Sequence, residues 1–179
     1  IVLEAWENGD SYCYLSDDDG VTWRESQRVK VANGSWEPAC IELKNGDVLM
    51  LMRTGNGGQF KSISKDGGET WTAPVETPLK GSAAPVSISR VPATGDLLAI
   101  WNHNPGGSGR NPFTAAISKD DGETWTNFRN IEDAPDDQWA YPAVTWLDAN
   151  ALLTYFNYSG GLSLQLKILP QEWFYATTP

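Results

Sequence analysis

The sequence predicts an all-β protein, a β-propeller of four-stranded antiparallel blades with about three to four blades present. Two observations lead there. The pattern Ser-x-Asp-x-Gly-x-Thr-Trp occurs three times, at residues 16–23, 64–71 and 118–125, with copies starting 48 and 54 residues apart. A period near 50 residues is the mark of a propeller or another repeat array. Between the copies, short apolar strands alternate with polar turns, and no window longer than about ten residues has helical periodicity.

The elements follow in order. Residues 1–34 read as the outer half of a blade, with strand 12–15 entering the first box. Residues 35–80 read as a full blade: strand 38–43, the turn Lys44-Asn45-Gly46-Asp47, strand 48–53, then strand 60–63 into the second box. Asn-Gly between apolar runs is the strongest short hairpin signal. Residues 81–136 repeat the scheme with strand 85–89, a turn at 93–96, strand 97–102 and strand 113–117 before the third box. Residues 137–179 hold strands 142–147 and 151–157, the turn Asp148-Ala149-Asn150 and a strand at 162–169, but no box. A fourth strand is expected after each box tryptophan. Propellers close with about four to eight blades, so the chain reads as the C-terminal half of a larger ring. Its open strand edges invite self-association.

The chemistry of the repeat is that of a turn. Ser and Asp side chains bond back to nearby amides, Gly takes the positive φ, Thr is expected to begin the next strand, and Trp to bury its ring between repeats. Asp18, Asp66 and Asp120 are read as architectural, because one geometry repeated three times serves a scaffold better than a single catalytic centre.

Composition excludes several classes. The net charge of −10 and pI near 4.4 argue against nucleic acid and anionic membranes as partners. The longest apolar run, 48–52, is far too short for a membrane-spanning helix. His103 has no His or Cys neighbours at metal spacing, no phosphate loop or nucleophile elbow is present, and no cofactor is expected. Cys13 and Cys40 lie in predicted strands and could form one disulfide or remain buried thiols.

The three boxes are those called Asp boxes or BNR repeats, and the chain resembles the second half of the sialidase (neuraminidase) superfamily of six-bladed propellers over nearly its whole length. The resemblance implies a secreted or periplasmic glycosidase acting on an acidic sugar or glycan. Its site would contain a Tyr nucleophile paired with a Glu, arginines clamping the substrate carboxylate, and an Asp acid/base. By order and motif it assigns the Glu to Glu37 in Ser35-Trp36-Glu37-Pro38 and one arginine to Arg53 in Leu51-Met52-Arg53-Thr54. The second arginine falls on Arg110 in Gly109-Arg110-Asn111-Pro112 and the nucleophile on Tyr141 in Ala140-Tyr141-Pro142-Ala143. The remaining arginine and the Asp have no match in this sequence, and Pro142 replaces the small polar residue that usually follows the nucleophile.

Position supports these assignments apart from the family. Glu37 and Tyr141 precede equivalent first strands, while Arg53 and Arg110 flank equivalent loops between second and third strands. Both locations fall at one end of the channel, away from the boxes. Paired guanidiniums can fork onto a carboxylate, and a phenol with pKa near 10 becomes a nucleophile once a Glu takes its proton. His103 is a further candidate for the same pocket, and Trp36 and Trp139 could stack on a sugar ring or pack in the core. A non-catalytic carbohydrate-binding or interaction propeller, and a polysaccharide lyase on the same scaffold, are the alternative readings.

Overall fold

The computed structural model describes residues 1–176; the end of the segment 137–179 lies outside the described residues. Four antiparallel sheets follow one another along the chain as the blades of a propeller. The first holds β1 (Val2–Glu7), β2 (Asp10–Leu15), β3 (Arg24–Glu25) and β4 (Val29–Lys30), with β3 and β4 both pairing with β2. These two are one outer strand interrupted at Ser26, whose hydroxyl accepts from the Cys13 N–H at 2.9 Å and whose N–H donates to the Cys13 carbonyl at 2.8 Å.

The second sheet is β5 (Ser35–Glu42), β6 (Val48–Thr54), β7 (Gly58–Ser64) and β8 (Val75–Lys80). The third is β9 (Ser87–Arg90), β10 (Leu97–Trp101), β11 (Phe113–Ser118) and β12 (Thr126–Glu132). The fourth is β13 (Trp139–Leu147), β14 (Asn150–Asn157) and β15 (Ser163–Pro170), followed by a 3-10 turn at Gln171–Tyr175. Successive sheets pack through β5 on β1, β9 on β5 and β13 on β9. The boxes join β2 to β3, β7 to β8 and β11 to β12, so β1 occupies a second-strand position and the first sheet has no first strand among the described residues.

The cores lie between sheets. Strand β6 is apolar without alternation because both its faces are buried. Val48, Met50 and Met52 join Cys13, Leu15, Val29 and Trp71 in the cluster beneath the first sheet. Leu49 and Leu51 join Leu97, Ala99, Trp101 and Trp125 in the next. Strand β10 divides in the same way, sending Leu98 and Ile100 to a third cluster with Phe113, Leu153, Tyr155 and Phe174. At the ends of the series apolar side chains are left in solvent: Ile1, Leu3 and Trp6 on one side, Leu164, Leu166 and Ile168 on the other.

The three boxes form one hydrogen-bonded turn. The Ser hydroxyl accepts from the Gly N–H at 2.8, 2.7 and 2.8 Å and donates to the Asp carboxylate at 2.9, 2.7 and 2.8 Å. The carboxylate accepts from the Thr N–H and the Thr hydroxyl, the latter at 2.7, 2.5 and 2.5 Å. The Thr residues therefore close the turn instead of opening the next strand, and β8 begins only at Val75, after Trp71. Bonds from the Thr side chain and backbone hold Asp18 and Asp66 down to about 2. At Asp120, desolvation opposes the shift, and the Thr124 and Ser118 bonds outweigh it, again to about 2.

Burial of the box tryptophans is uneven. Trp71 and Trp125 are 7% exposed, each against the preceding sheet: Trp71 Nε1 donates to Ser26 Oγ at 3.3 Å, and Gly122 of the third box lies against Leu49. Trp23 is 42% exposed, because no sheet precedes its own among the described residues. The expectation that every box tryptophan is buried between repeats fails at that copy for this reason. Cys13 and Cys40 are free thiols, with sulfurs 3.6 Å apart.

Candidate active site

Two leading strands open on similar words, Trp36-Glu37-Pro38-Ala39 and Ala140-Tyr141-Pro142-Ala143. In both, the residue before Pro has a positive φ, 44° at Glu37 and 57° at Tyr141. In both, the strand register slips there, between Trp36 and Ala39 and between Ala140 and Ala143. Left-handed backbone at a non-glycine residue costs about 1–3 kcal/mol and clusters at functional sites. A bulge re-aims its side chain, and the two re-aimed side chains meet: Tyr141 OH donates to Glu37 Oε1 at 3.2 Å across 104 positions of sequence. In the intervening sheet the corresponding residue before Pro85 is Ala84, which presents only a methyl group.

Arg53 pairs with Trp36 across the β5–β6 ladder, which brings its guanidinium to Glu37. Nη1 donates to Glu37 Oε2 at 2.6 Å, and both side chains are largely buried, 21% and 27% exposed. The Glu37 carboxylate thus holds Arg53 with one oxygen and Tyr141 with the other.

Arg110 belongs to the loop between β10 and β11. Its carbonyl accepts from the Trp139 N–H at 3.0 Å, and the adjacent Asn111 side chain donates to the carbonyls of Ala134 and Asp137 at 2.7 and 2.9 Å. These bonds fasten the loop to the start of the fourth sheet. The guanidinium lies 5.3 Å from the Tyr141 ring and 5.5 Å from the Tyr158 ring, in reach of both π faces. Among the described residues it forms no ion pair with a carboxylate, unlike Arg53.

Three cavities run together along this end of the blades. One of about 320 Å³ lies between Trp6, Trp36, Glu37 and Arg53. It shares Gly55 and Ala83 with a second of about 390 Å³, which reaches Arg110 and Gln138. These two residues also line a third of about 490 Å³ with Tyr141, Tyr158 and Asp136. Gly81 keeps the floor of the middle cavity low: a Cβ there would sit 2.0 Å from the Asn102 carbonyl oxygen.

Of the residues singled out from sequence, Glu37, Arg53, Arg110 and Tyr141 line this series, as does Trp36. Trp139 is 3% exposed and belongs to the core. His103 packs between Trp101 and Phe128, with Nδ1 3.1 Å from the Lys80 carbonyl oxygen. Trp6, Gln138 and Tyr158 line the cavities without having been singled out. Tyr158 had a signal: it follows β14 in the last blade, at the same kind of loop that carries Arg53 and Arg110 in the blades before. Among the described residues no group of three or more His, Cys, Asp or Glu could hold a metal ion.

Comparison with known proteins agrees with this architecture. The family described as BNR repeat-like domain matches residues 3–153. A sialidase of Bacteroides fragilis is 28% identical over 145 residues, which are 76% of this chain and 26% of that protein. The intramolecular trans-sialidase of Ruminococcus gnavus, solved with oseltamivir carboxylate, superimposes with TM-score 0.78 at 20% identity over 99% of this chain and 42% of that one. The NanB sialidase of Streptococcus pneumoniae, as its K499G mutant, gives TM-score 0.75 at 22% identity over 91% and 27%. The chain spans about a quarter of the length of the curated relative it matches. On a match that spans residues 3–153, the chain belongs to the BNR repeat-like domain family, and its fold is that of the sialidase propellers it superimposes on.

Proposed function

We propose that the chain carries the Glu, Tyr and two-arginine part of a sialidase-like exo-glycosidase site, acting on a terminal acidic sugar such as sialic acid with retention of configuration. The observation that carries the reading is the double use of Glu37. One carboxylate oxygen is bonded to the Tyr141 hydroxyl at 3.2 Å, placed to take its proton, and the other is bonded to Arg53 at 2.6 Å.

In the proposed reaction Glu37 accepts the Tyr141 proton as the phenolic oxygen attacks the anomeric carbon and the bond to the aglycone breaks. Water then attacks the glycosyl-tyrosine, and Glu37 returns the proton to Tyr141. A phenol suits an anionic sugar because it brings no carboxylate up to the substrate's own, and sialidases are the tyrosine exception among glycosidases. Arg110, with aromatic neighbours and no carboxylate partner among the described residues, is the cation most available to the sugar carboxylate. Arg53 would share it by the bidentate geometry that guanidinium favours. Protonating the leaving group, and then taking the proton that the attacking water releases, is the role of the family's Asp, which no residue here matches.

The partner in this reading is an acidic glycan, met outside the cytoplasm in a secreted or periplasmic setting. The exposed apolar side chains at the two ends of the sheet series fit further blades of the same ring or self-association. The test is calorimetric binding of a sialic acid transition-state analogue to the chain and to Arg53→Ala and Arg110→Ala. Weaker binding in both variants supports the clamp, and unchanged affinity in both sinks it. Analogue affinity that is unchanged in Tyr141→Phe and Glu37→Gln would favour a non-catalytic lectin-like role.

A further inference from the structure

We propose that Cys13 and Cys40 are a disulfide-forming pair that staples the first sheet of the propeller to the second. The two thiols come from different blades, Cys13 from β2 and Cys40 from β5, and they meet at the cluster that Cys13 forms with Leu15, Met50, Met52 and Trp71. Their sulfurs are 3.6 Å apart, already in contact. A disulfide needs about 2.05 Å, so closing the bond takes a movement of about 1.5 Å, within the reach of a small χ1 adjustment at either residue.

Backbone placement favours the pair. Cys13 is held by the two Ser26 bonds on its outer side and by its register with Glu4 on the inner side. Cys40 N–H donates to Glu4 Oε1 at 2.9 Å, so the same glutamate ties β1 to the strand that carries the second thiol. The first sheet has no leading strand of its own among the described residues, and a covalent bond from β2 to β5 would fix it where strand pairing does not. The inference stands apart from the reading of the active site, since neither cysteine lines the cavities there.

The reaction balances as thiol–disulfide exchange with a small disulfide such as oxidised glutathione. The Cys40 thiolate attacks one sulfur of the oxidant and expels one thiolate. The Cys13 thiolate then attacks the mixed disulfide at Cys40 and expels the second. Two electrons and two protons pass to the leaving thiols, and the protein loses two hydrogens. The hydrogen bond that the Cys40 thiol donates to Cys13, then burial, then the nearby Cys13 and Glu4 charges push the Cys40 thiol well above its usual range. The raised Cys40 thiol is a slow nucleophile at neutral pH, which suits a structural bond and not a fast sensor.

The test uses the wild-type chain, kept native in glutathione buffers from fully reduced to mostly oxidised, then denatured, alkylated and weighed by intact mass spectrometry. At the oxidising end both thiols should vanish together, with a mass loss of two hydrogens and no glutathione adduct. The melting temperature should rise by about 10 °C, from closing a loop of some 28 residues in a domain of this size, and fall back on adding reductant. Cys13→Ser and Cys40→Ser should each abolish the oxidant-dependent rise. Persistence of an alkylatable thiol, a stable glutathione adduct on the wild type, or joint oxidation without a change in melting temperature would overturn the proposal.

Discussion

Replacing Trp71 with alanine should destabilise the chain far more than replacing Trp23, although both occupy the same position of the same repeat. Trp71 is 7% exposed and Trp23 is 42% exposed, a difference of about a third of the residue surface. For a tryptophan that is ~80 Å², or ~2 kcal/mol at the usual ~25 cal/mol per Å². Trp71 also donates to Ser26 Oγ at 3.3 Å, whereas the Trp23 indole donates only to the Gly20 carbonyl of its own turn. Losing the inter-sheet bond adds ~0.5–1 kcal/mol. Trp71→Ala should therefore cost about 2–3 kcal/mol more than Trp23→Ala, a difference smaller than the ~3–5 kcal/mol usual for deleting a buried tryptophan outright. For a chain of this size that is about 4–12 °C in melting temperature. Far-UV circular dichroism during thermal and urea unfolding reads the difference without relying on tryptophan emission. Equal destabilisation by the two variants would refute the argument that a box tryptophan stabilises by packing on the preceding blade.

Three further outcomes follow from the same geometry. The box aspartates Asp18, Asp66 and Asp120 are depressed to about 2 when folded, below the ordinary value of about 3.9 in the unfolded chain. Their contribution is thus present above pH 4 and lost as pH falls toward 2, and the urea midpoint should drop through that window; a flat midpoint there would contradict the turn's dependence on ionised Asp. Glu37→Ala leaves the largely buried Arg53 without its carboxylate and should cost about 1–3 kcal/mol in urea unfolding, whereas Tyr141→Phe, at a ring 40% exposed, should stay within ~0.5 kcal/mol. The 179-residue chain alone should give no measurable turnover of a fluorogenic sialoside, because it supplies no match for the acid/base Asp; turnover above the buffer rate would overturn that.

The all-β class was legible because two independent signals agree. The boxes repeat a turn whose Ser, Asp and Thr side chains all find partners within the turn, and Asn-Gly or Gly-Asp turns separate the apolar runs between them. Runs such as 48–52 look ambiguous alone, since they lack alternation. The structure explains why: successive side chains enter two different cores. The site was legible where repeats make positions equivalent, so Glu37 and Tyr141 could be matched by their place before a leading strand. Their left-handed backbone was not, because neither is glycine, and it goes with the register slip each strand makes against its neighbour. Trp6 escaped notice because it reaches the cavity from a neighbouring sheet, a long-range contact no local pattern encodes. The exposure of Trp23 likewise depends on which blade precedes it, not on the box itself.

In the proposed site, Arg110 and Arg53 meet the carboxylate of an acidic sugar beside the Glu37–Tyr141 pair. The most direct measurement is a binding cycle by calorimetry at fixed low salt, with a sialic acid transition-state analogue and its carboxamide, against the wild-type chain and Arg110→Ala. Converting carboxylate to carboxamide should weaken wild-type binding at least tenfold, as expected for a charged hydrogen-bonded pair. The same change should cost Arg110→Ala little or nothing. Equal losses in the two proteins would show that Arg110 does not contact the carboxylate and would contradict the assignment.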